Sequence, residues 1–198
     1  AEHSLEENSY NVMSNFQGPF ALHPVMAMAL NIPGNKLRLR SPENSGGSFG
    51  VKQAVFSYIV ALCLASKKVG KPLKWVEDRL EHLLAATSAT GRESKLQAAV
   101  LENGELIGLK ITQFDDCGGY LRAPEPASLY RMHGNLSGAY KVKNISLTNN
   151  VVLTNKTPSG LNRGFGGPQF YYGLERLMQK IAKVLQKPHL EIIKTNLL

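Results

Sequence analysis

The sequence predicts an α+β domain, a mixed sheet with packed helices, and three observations point there. Residues 36–40 (KLRLR) alternate strictly between basic and apolar, the period of a strand with one buried face. Residues 51–68 are apolar nearly all round, as in a buried helix. Strands and helices then intermix without a regular βαβ alternation, so the chain is not read as doubly wound.

Taken in order, residues 10–14 alternate weakly and read as a strand. Residues 19–30 read as a helix with Pro24 early in it, and residues 32–35 as a turn. The helix over 51–68 carries Lys67 and Lys68 in its last turn, where cations suit the helix dipole, and Gly70 closes it. Residues 72–78 read as a strand. Residues 96–101 and 105–114 form a hairpin around Glu102-Asn-Gly104, a strong turn signal. Asp115-Asp-Cys-Gly-Gly119 reads as a solvated turn, residues 127–134 as a short helix and residues 150–154 as a strand. A final helix starts at Pro168, the favoured first position, and runs to about Gln186 with Phe170, Leu174, Leu177, Ile181 and Leu185 on one stripe. No repeat or linker interrupts the chain, which reads as one domain over 1–198.

Composition excludes several classes. With 43% hydrophobic and 19% charged residues, the chain is neither disordered nor a coiled coil. Two cysteines, Cys63 and Cys117, exclude a disulfide-dense scaffold and a four-cysteine zinc or iron–sulfur site. The longest apolar run, 54–65, is too short to span a bilayer, and no signal-peptide pattern opens the chain, so a cytoplasmic location without membrane is expected. The five histidines have no ligand spacing, so no metal held directly by side chains is expected. The net charge of +8 comes with clusters at Lys36, Arg38, Arg40 and at Lys67, Lys68, Lys71, Lys74. Aromatics are not interleaved with them, so solvated faces are the better reading than nucleic acid.

The sharpest feature is a pair of glycine-rich loops, Gly46-Gly-Ser-Phe-Gly50 and Gly164-Phe-Gly-Gly167, each ahead of a helix. Glycine lets backbone N–H groups approach a ligand closely, and a helix N-terminus adds unsatisfied donors and partial positive charge. Such loops suit a large anionic cofactor; as ordinary turns they would only allow tight packing. Neither is a Walker A loop or a dinucleotide fingerprint.

Five stretches carry a resemblance, and they occur in a family's order: Met13-Ser-Asn-Phe-Gln17, Gly46-Gly-Ser-Phe-Gly-Val-Lys52, Trp75-Val-Glu-Asp-Arg-Leu-Glu-His82, Tyr140-Lys-Val-Lys-Asn144, and Thr154-Asn-Lys-Thr-Pro-Ser-Gly160 running into Arg163-Gly-Phe-Gly-Gly-Pro-Gln169. Together they resemble the molybdopterin-binding large subunit of the molybdenum hydroxylases, which include xanthine dehydrogenase, aldehyde oxidoreductases and carbon monoxide dehydrogenase. The family's large subunit is much longer, so the chain, which lacks an initiator methionine, is expected to be part of its cofactor-binding region.

The resemblance implies roles for particular residues. Gly47, Ser48, Phe49 and Gly50 match a loop whose amides approach the metal and pterin; Arg163 and Gly164 match a second such loop. Phe165 matches a phenylalanine that packs on substrate, and Arg131 a substrate-orienting arginine of the xanthine branch. Gln53 stands where that branch has a substrate-binding glutamate, which counts against purine oxidation. Gly164 stands where carbon monoxide dehydrogenases place a copper-binding cysteine, which counts against carbon monoxide. An aldehyde or aromatic heterocycle is the expected substrate; the purine- and carbon-monoxide-oxidising homologues are the alternatives. The general-base glutamate of the family is expected beyond Leu198, so this piece alone is expected to be inactive. The implied cofactor is molybdenum–molybdopterin, with or without a cytosine dinucleotide. The implied partners are the remainder of the large subunit, an iron–sulfur subunit and an FAD subunit. A basic nucleic-acid-binding module and a non-catalytic assembly protein are the competing classes.

Overall fold

A computed structural model of the chain describes residues 1–122 and 131–198, with the backbone alone for Arg131 and Met132. The chain divides into two compact units, Ala1–Thr87 and Ser88–Leu198, a boundary that no composition shift marks. Each holds a three-stranded sheet with helices against it, so the α+β class holds.

In the first unit, β2 (Ser9–Met13) is central, antiparallel to β1 (Glu2–Ser4) and parallel to β3 (Leu37–Arg40). The helix α1 (Pro19–Ala29) makes the crossover that a parallel pair requires. Alternate residues Tyr10 and Val12 of β2 enter a core with Leu22 and Met26 of α1. Helix α2 (Phe56–Val69) adds Ile59 and Cys63 to that core. It ends as expected: Gly70 is left-handed at φ 70° and its N–H donates to the Ser66 carbonyl at 2.9 Å.

Two expectations are corrected here. The segment 51–68 is not one fully buried helix. It opens with a 3-10 turn at Val51–Gln53, and only one face of α2 is buried, Leu64 being 49% exposed. Residues 72–78 are not a strand, because the segment joins no sheet ladder; Leu73 donates its N–H to the Ala1 carbonyl instead. The segment leads into α3 (Arg79–Ala85) through a capping box. Asp78 Oδ1 accepts the Glu81 N–H at 2.8 Å, and Glu81 Oε2 accepts the Asp78 N–H at 2.9 Å. The Asp-x-x-Glu spacing at 78–81 is the sequence signal for this helix start.

In the second unit, β4 (Gly91–Val100) and β5 (Leu106–Asp116) form the expected hairpin, longer at its open end, and β6 (Asn144–Val152) lies parallel to β5. Gly104 takes φ 97° at the turn. Helix α4 (Gly167–Val184) buries Phe170, Leu174, Met178 and Ile181 against Leu106, Leu109 and Ile111 of β5. A 3-10 turn occupies Arg131–Asn135; the rest of the helix expected over 127–134 lies outside the described residues. The last helix, α5 (His189–Asn196), was not anticipated.

Asn196 explains why α5 docks where it does. Its buried amide accepts the Leu106 N–H at 2.8 Å and donates to the Gly104 and Ile192 carbonyls at 2.9 and 2.8 Å. Replacing Asn196 with alanine orphans two groups at the hairpin end. The expected loss is about 2–3 kcal/mol of stability, from roughly 1–3 kcal/mol per unsatisfied buried group, read as a lower denaturation midpoint.

Candidate functional site

The two glycine-rich loops share one local device. In the first, Phe49 (φ 54°) and Gly50 (φ 111°) are both left-handed. Gly50 then caps the 3-10 turn that leads to α2. In the second, Gly164 (φ 99°), Phe165 (φ 51°) and Gly166 (φ 79°) are left-handed in succession, and Gly166 is the N-cap of α4. A bulky residue at positive φ costs about 1–3 kcal/mol and persists only where its surroundings hold it. The strained residue is a phenylalanine in both loops.

The first loop is held by its own side chains and by a neighbour. Ser48 Oγ accepts the Gly50 N–H at 2.9 Å and donates to Oε1 of Gln17. Lys52 Nζ donates to the Gly46 carbonyl at 2.9 Å. Gln17, the last residue of the stretch 13–17, anchors the loop serine. Gly47 is exposed with open space where a side chain would stand, and the N–H groups of Gly47, Ser48 and Phe49 have no partner among the described residues. Phe49 is 69% exposed. Gln53 lies half-buried in the 3-10 turn, its N–H on the Gly50 carbonyl at 3.1 Å and its side chain beside Gly18.

The second loop borders a cleft of about 190 Å³ lined by Thr90, Asn162, Arg163, Gly166, Pro168 and Gln169, among others. Arg163 and Gly164 are exposed and Phe165 is half-buried. The Gly167 N–H turns back to the Gly164 carbonyl at 2.9 Å, and the Phe165 N–H to Asn162 at 3.0 Å. The N–H groups of Gly164 and Gly166 have no partner among the described residues. Two buried side-chain atoms at the cleft, Thr90 Oγ1 and Gln169 Oε1, also have none. Buried polar atoms are normally paired, so these two are open to a partner at the cleft, whether water or ligand.

Behind the loop lies a charge pair that the sequence reading misplaced. Asp115, read as part of a solvated turn, is fully buried and bound on two edges by the Arg92 guanidinium, at 2.5 and 2.9 Å. The hairpin register puts Arg92 opposite Asp115, and the strand runs past the point where the loop was expected. Asn149 of β6 adds a third hydrogen bond to Asp115 at 3.0 Å. Burial first, and then the Arg92 charge, push His133 below its ordinary pKa, so its imidazole favours the neutral form beside the pair.

Asp116 has a different job. It accepts from Lys156 Nζ at 2.6 Å, from Thr154 Oγ1 and from the Gly118 N–H, which hold its carboxyl down to about 2. The 154–160 stretch thus owes its threonine and lysine to a bracket that leads the chain toward Arg163. Because the folded pKa lies below the unfolded value of roughly 3.9, this stabilisation is present above pH ~4 and fades as pH falls toward 2. Asp116→Asn should flatten that part of an acid-unfolding curve.

Arg131 begins the 3-10 turn, but its side chain lies outside the described residues. Among the described residues no group of three or more His, Cys, Asp or Glu could hold a metal ion, and no helix is long and apolar enough to cross a membrane. Within the second unit, the amides of Gly164 and Gly166, the two orphaned polar atoms and Arg163 form a donor set suited to an oxygen-rich anionic group.

Comparison with known proteins gives that donor set a family. Residues 1–197 match the molybdopterin cofactor-binding domain, and the chain belongs to that family. It is 34% identical over 174 residues to the 6-hydroxypseudooxynicotine dehydrogenase complex subunit gamma of Paenarthrobacter nicotinovorans, covering 88% of this chain and 22% of that one. It is 30% identical to the carbon monoxide dehydrogenase large chain of Hydrogenophaga pseudoflava, covering 91% of this chain and 23% of the relative. Its fold superposes on quinoline 2-oxidoreductase from Pseudomonas putida 86 with a TM-score of 0.92 at 28% identity, over 99% of this chain and 25% of that one. The chain therefore spans about a quarter of the length of these relatives.

Proposed function

We propose that the chain is the cofactor-binding part of a molybdenum hydroxylase large subunit, an oxidoreductase acting on an aldehyde or aromatic heterocycle. The observation that carries this is the pair of loops whose free N–H groups stand at left-handed helix starts, within a chain that matches the molybdopterin family throughout. Bound molybdopterin would supply the metal centre for two-electron oxidation. This chain's residues bind and orient. Taken one unit at a time, the amides of Gly47, Ser48 and Phe49 in the first loop, and those of Gly164 and Gly166 in the second, are donors of the kind that oxygens of such a cofactor accept from. Such fixed donors stabilise negative charge without a proton to lose. Arg163 adds a fixed positive charge, and Thr90 and Gln169 gain partners at the cleft. Phe165 faces substrate, with Gln53 and Arg131 setting substrate choice.

Two relatives favour the heterocyclic reading, since a quinoline and a pyridine-derived compound appear in their names. Glycine at 164 rather than cysteine speaks against a carbon monoxide reading. The remainder of the large subunit, an iron–sulfur chain and an FAD chain complete the proposed enzyme, placed in the cytoplasm, and the pterin carries a cytosine dinucleotide or none. The test is metal and pterin analysis of the complete subunit purified with its partner chains, followed by assay with quinoline, nicotinate and benzaldehyde and an acceptor dye. Stoichiometric molybdenum with turnover of one of these supports the reading; a purified complex free of molybdenum overturns it.

A further inference from the structure

We propose that Arg92 is a positioning residue: from its buried pair with Asp115 it grips the Gly166 carbonyl and sets the 163–167 loop for its cofactor. The inference rests on reading that loop as a molybdopterin-binding element. Arg92 Nη1 donates to the Gly166 oxygen at 2.9 Å, across 74 residues of sequence. Nε and Nη2 of the same guanidinium donate to Asp115. The side chains of Arg92 and Asp115 are 1% and 0% exposed.

Stability alone does not account for such a pair. Burying two charges costs as much as their attraction returns, and apolar replacements of similar volume are often neutral or better. What the charges add here is direction. A guanidinium is a planar fork, so once Asp115 holds Nε and Nη2 the directions of the two Nη1 N–H bonds are fixed as well. Asn149 of β6 holds the Asp115 carboxylate at 3.0 Å. A line of hydrogen bonds thus runs from β6 through β5 and β4 to the loop.

The gripped peptide is the one that matters. Its carbonyl belongs to Gly166, bonded by Arg92, and its N–H to Gly167, bonded to the Gly164 oxygen at 2.9 Å. Both edges of that peptide plane are therefore held. The preceding run Gly164, Phe165 and Gly166 stays left-handed, strained phenylalanine included. In that shape the unpartnered N–H groups of Gly164 and Gly166 stay free for a ligand.

The test uses the complete large subunit with its partner chains. Arg92→Lys keeps the charge against Asp115, but an ammonium cannot serve two carboxylate oxygens and a carbonyl in one plane. The double variant Arg92→Met/Asp115→Leu removes the charges together and avoids an orphaned ion. Three readouts are taken: thermal midpoint, amide hydrogen exchange over residues 163–170, and the electron paramagnetic resonance signal of the partly reduced molybdenum centre. Both variants should melt within several degrees of wild type, clearly above Asp115→Ala, which leaves a buried charge unpaired. Loop amides should exchange on the order of tenfold faster, the worth of one hydrogen bond to a charged group, and the resonance signal should change shape. Unchanged exchange and an unchanged signal in a molybdenum-loaded variant would overturn the positioning role. Faster exchange in the variants, in a complex whose wild-type form carries no molybdopterin, would instead overturn the cofactor reading and leave the grip itself standing.

Discussion

Gly164→Val should strip most of the molybdenum and pterin from the assembled subunit while leaving its melting temperature within a few degrees of wild type. Gly164 sits at φ 99°, and a Cβ there would lie 2.7 Å from both Cδ and Cγ of Pro168. A proline ring cannot swing aside as a flexible side chain can. The backbone region alone costs a branched residue about 1–3 kcal/mol, and the clash adds to it. Arg163 and Gly164 are exposed, so this end of the loop relieves the strain by changing shape rather than by unfolding the core. Each ~1.4 kcal/mol lost from cofactor binding is a tenfold loss of affinity. Metal and pterin analysis beside a melting curve separates the two effects. Gly134→Ala, where an added Cβ would meet nothing within 4 Å among the described residues, is the control and should keep both. Full cofactor content in Gly164→Val would show that the loop's shape does not matter.

Asp115→Ala should be the most destabilising single change in the second unit. It leaves the Arg92 guanidinium buried at 1% exposure with its carboxylate gone. Breaking such a pair typically costs about 3–5 kcal/mol, far above the roughly 0–1 kcal/mol of a surface pair. At roughly 2–4 °C per kcal/mol for a chain of this size, the thermal midpoint should fall by about 10 °C. The exposed pair Lys143–Glu105, at 3.5 Å, is the contrast: Glu105→Ala should move the midpoint little. Equal effects at the two sites would mean that Asp115 is not the buried partner described here.

The sequence made much of this legible because certain signals are local. Asn103-Gly104 fixes the hairpin through one turn, Gly70 stops a helix through one left-handed residue, and Pro168 starts another. The glycine loops announced themselves by composition, and their place ahead of helices was right for α4 and nearly so for α2. What stayed hidden depends on distant partners. Asp115 looks like a turn residue until Arg92 stands opposite it, 23 positions away. Gln17 gains its task only when Ser48 is brought to it. Asn196 looks like a polar residue near a chain end until the hairpin turn closes over it. Residues 72–78 had the composition of a strand but found no ladder to join, and propensity without a partner does not make a strand. The shared left-handed Phe-Gly step of the two loops is a backbone property, and no residue pattern spelled out that a phenylalanine would accept it.

The most direct measurement is a structure of the complete large subunit, with its partner chains and with cofactor bound. The N–H groups of Gly164 and Gly166 should then lie within hydrogen-bonding distance of cofactor oxygens. The left-handed run and the Arg92 bond to Gly166 should be unchanged. A molybdopterin seated with no contact to residues 163–167 would contradict the account.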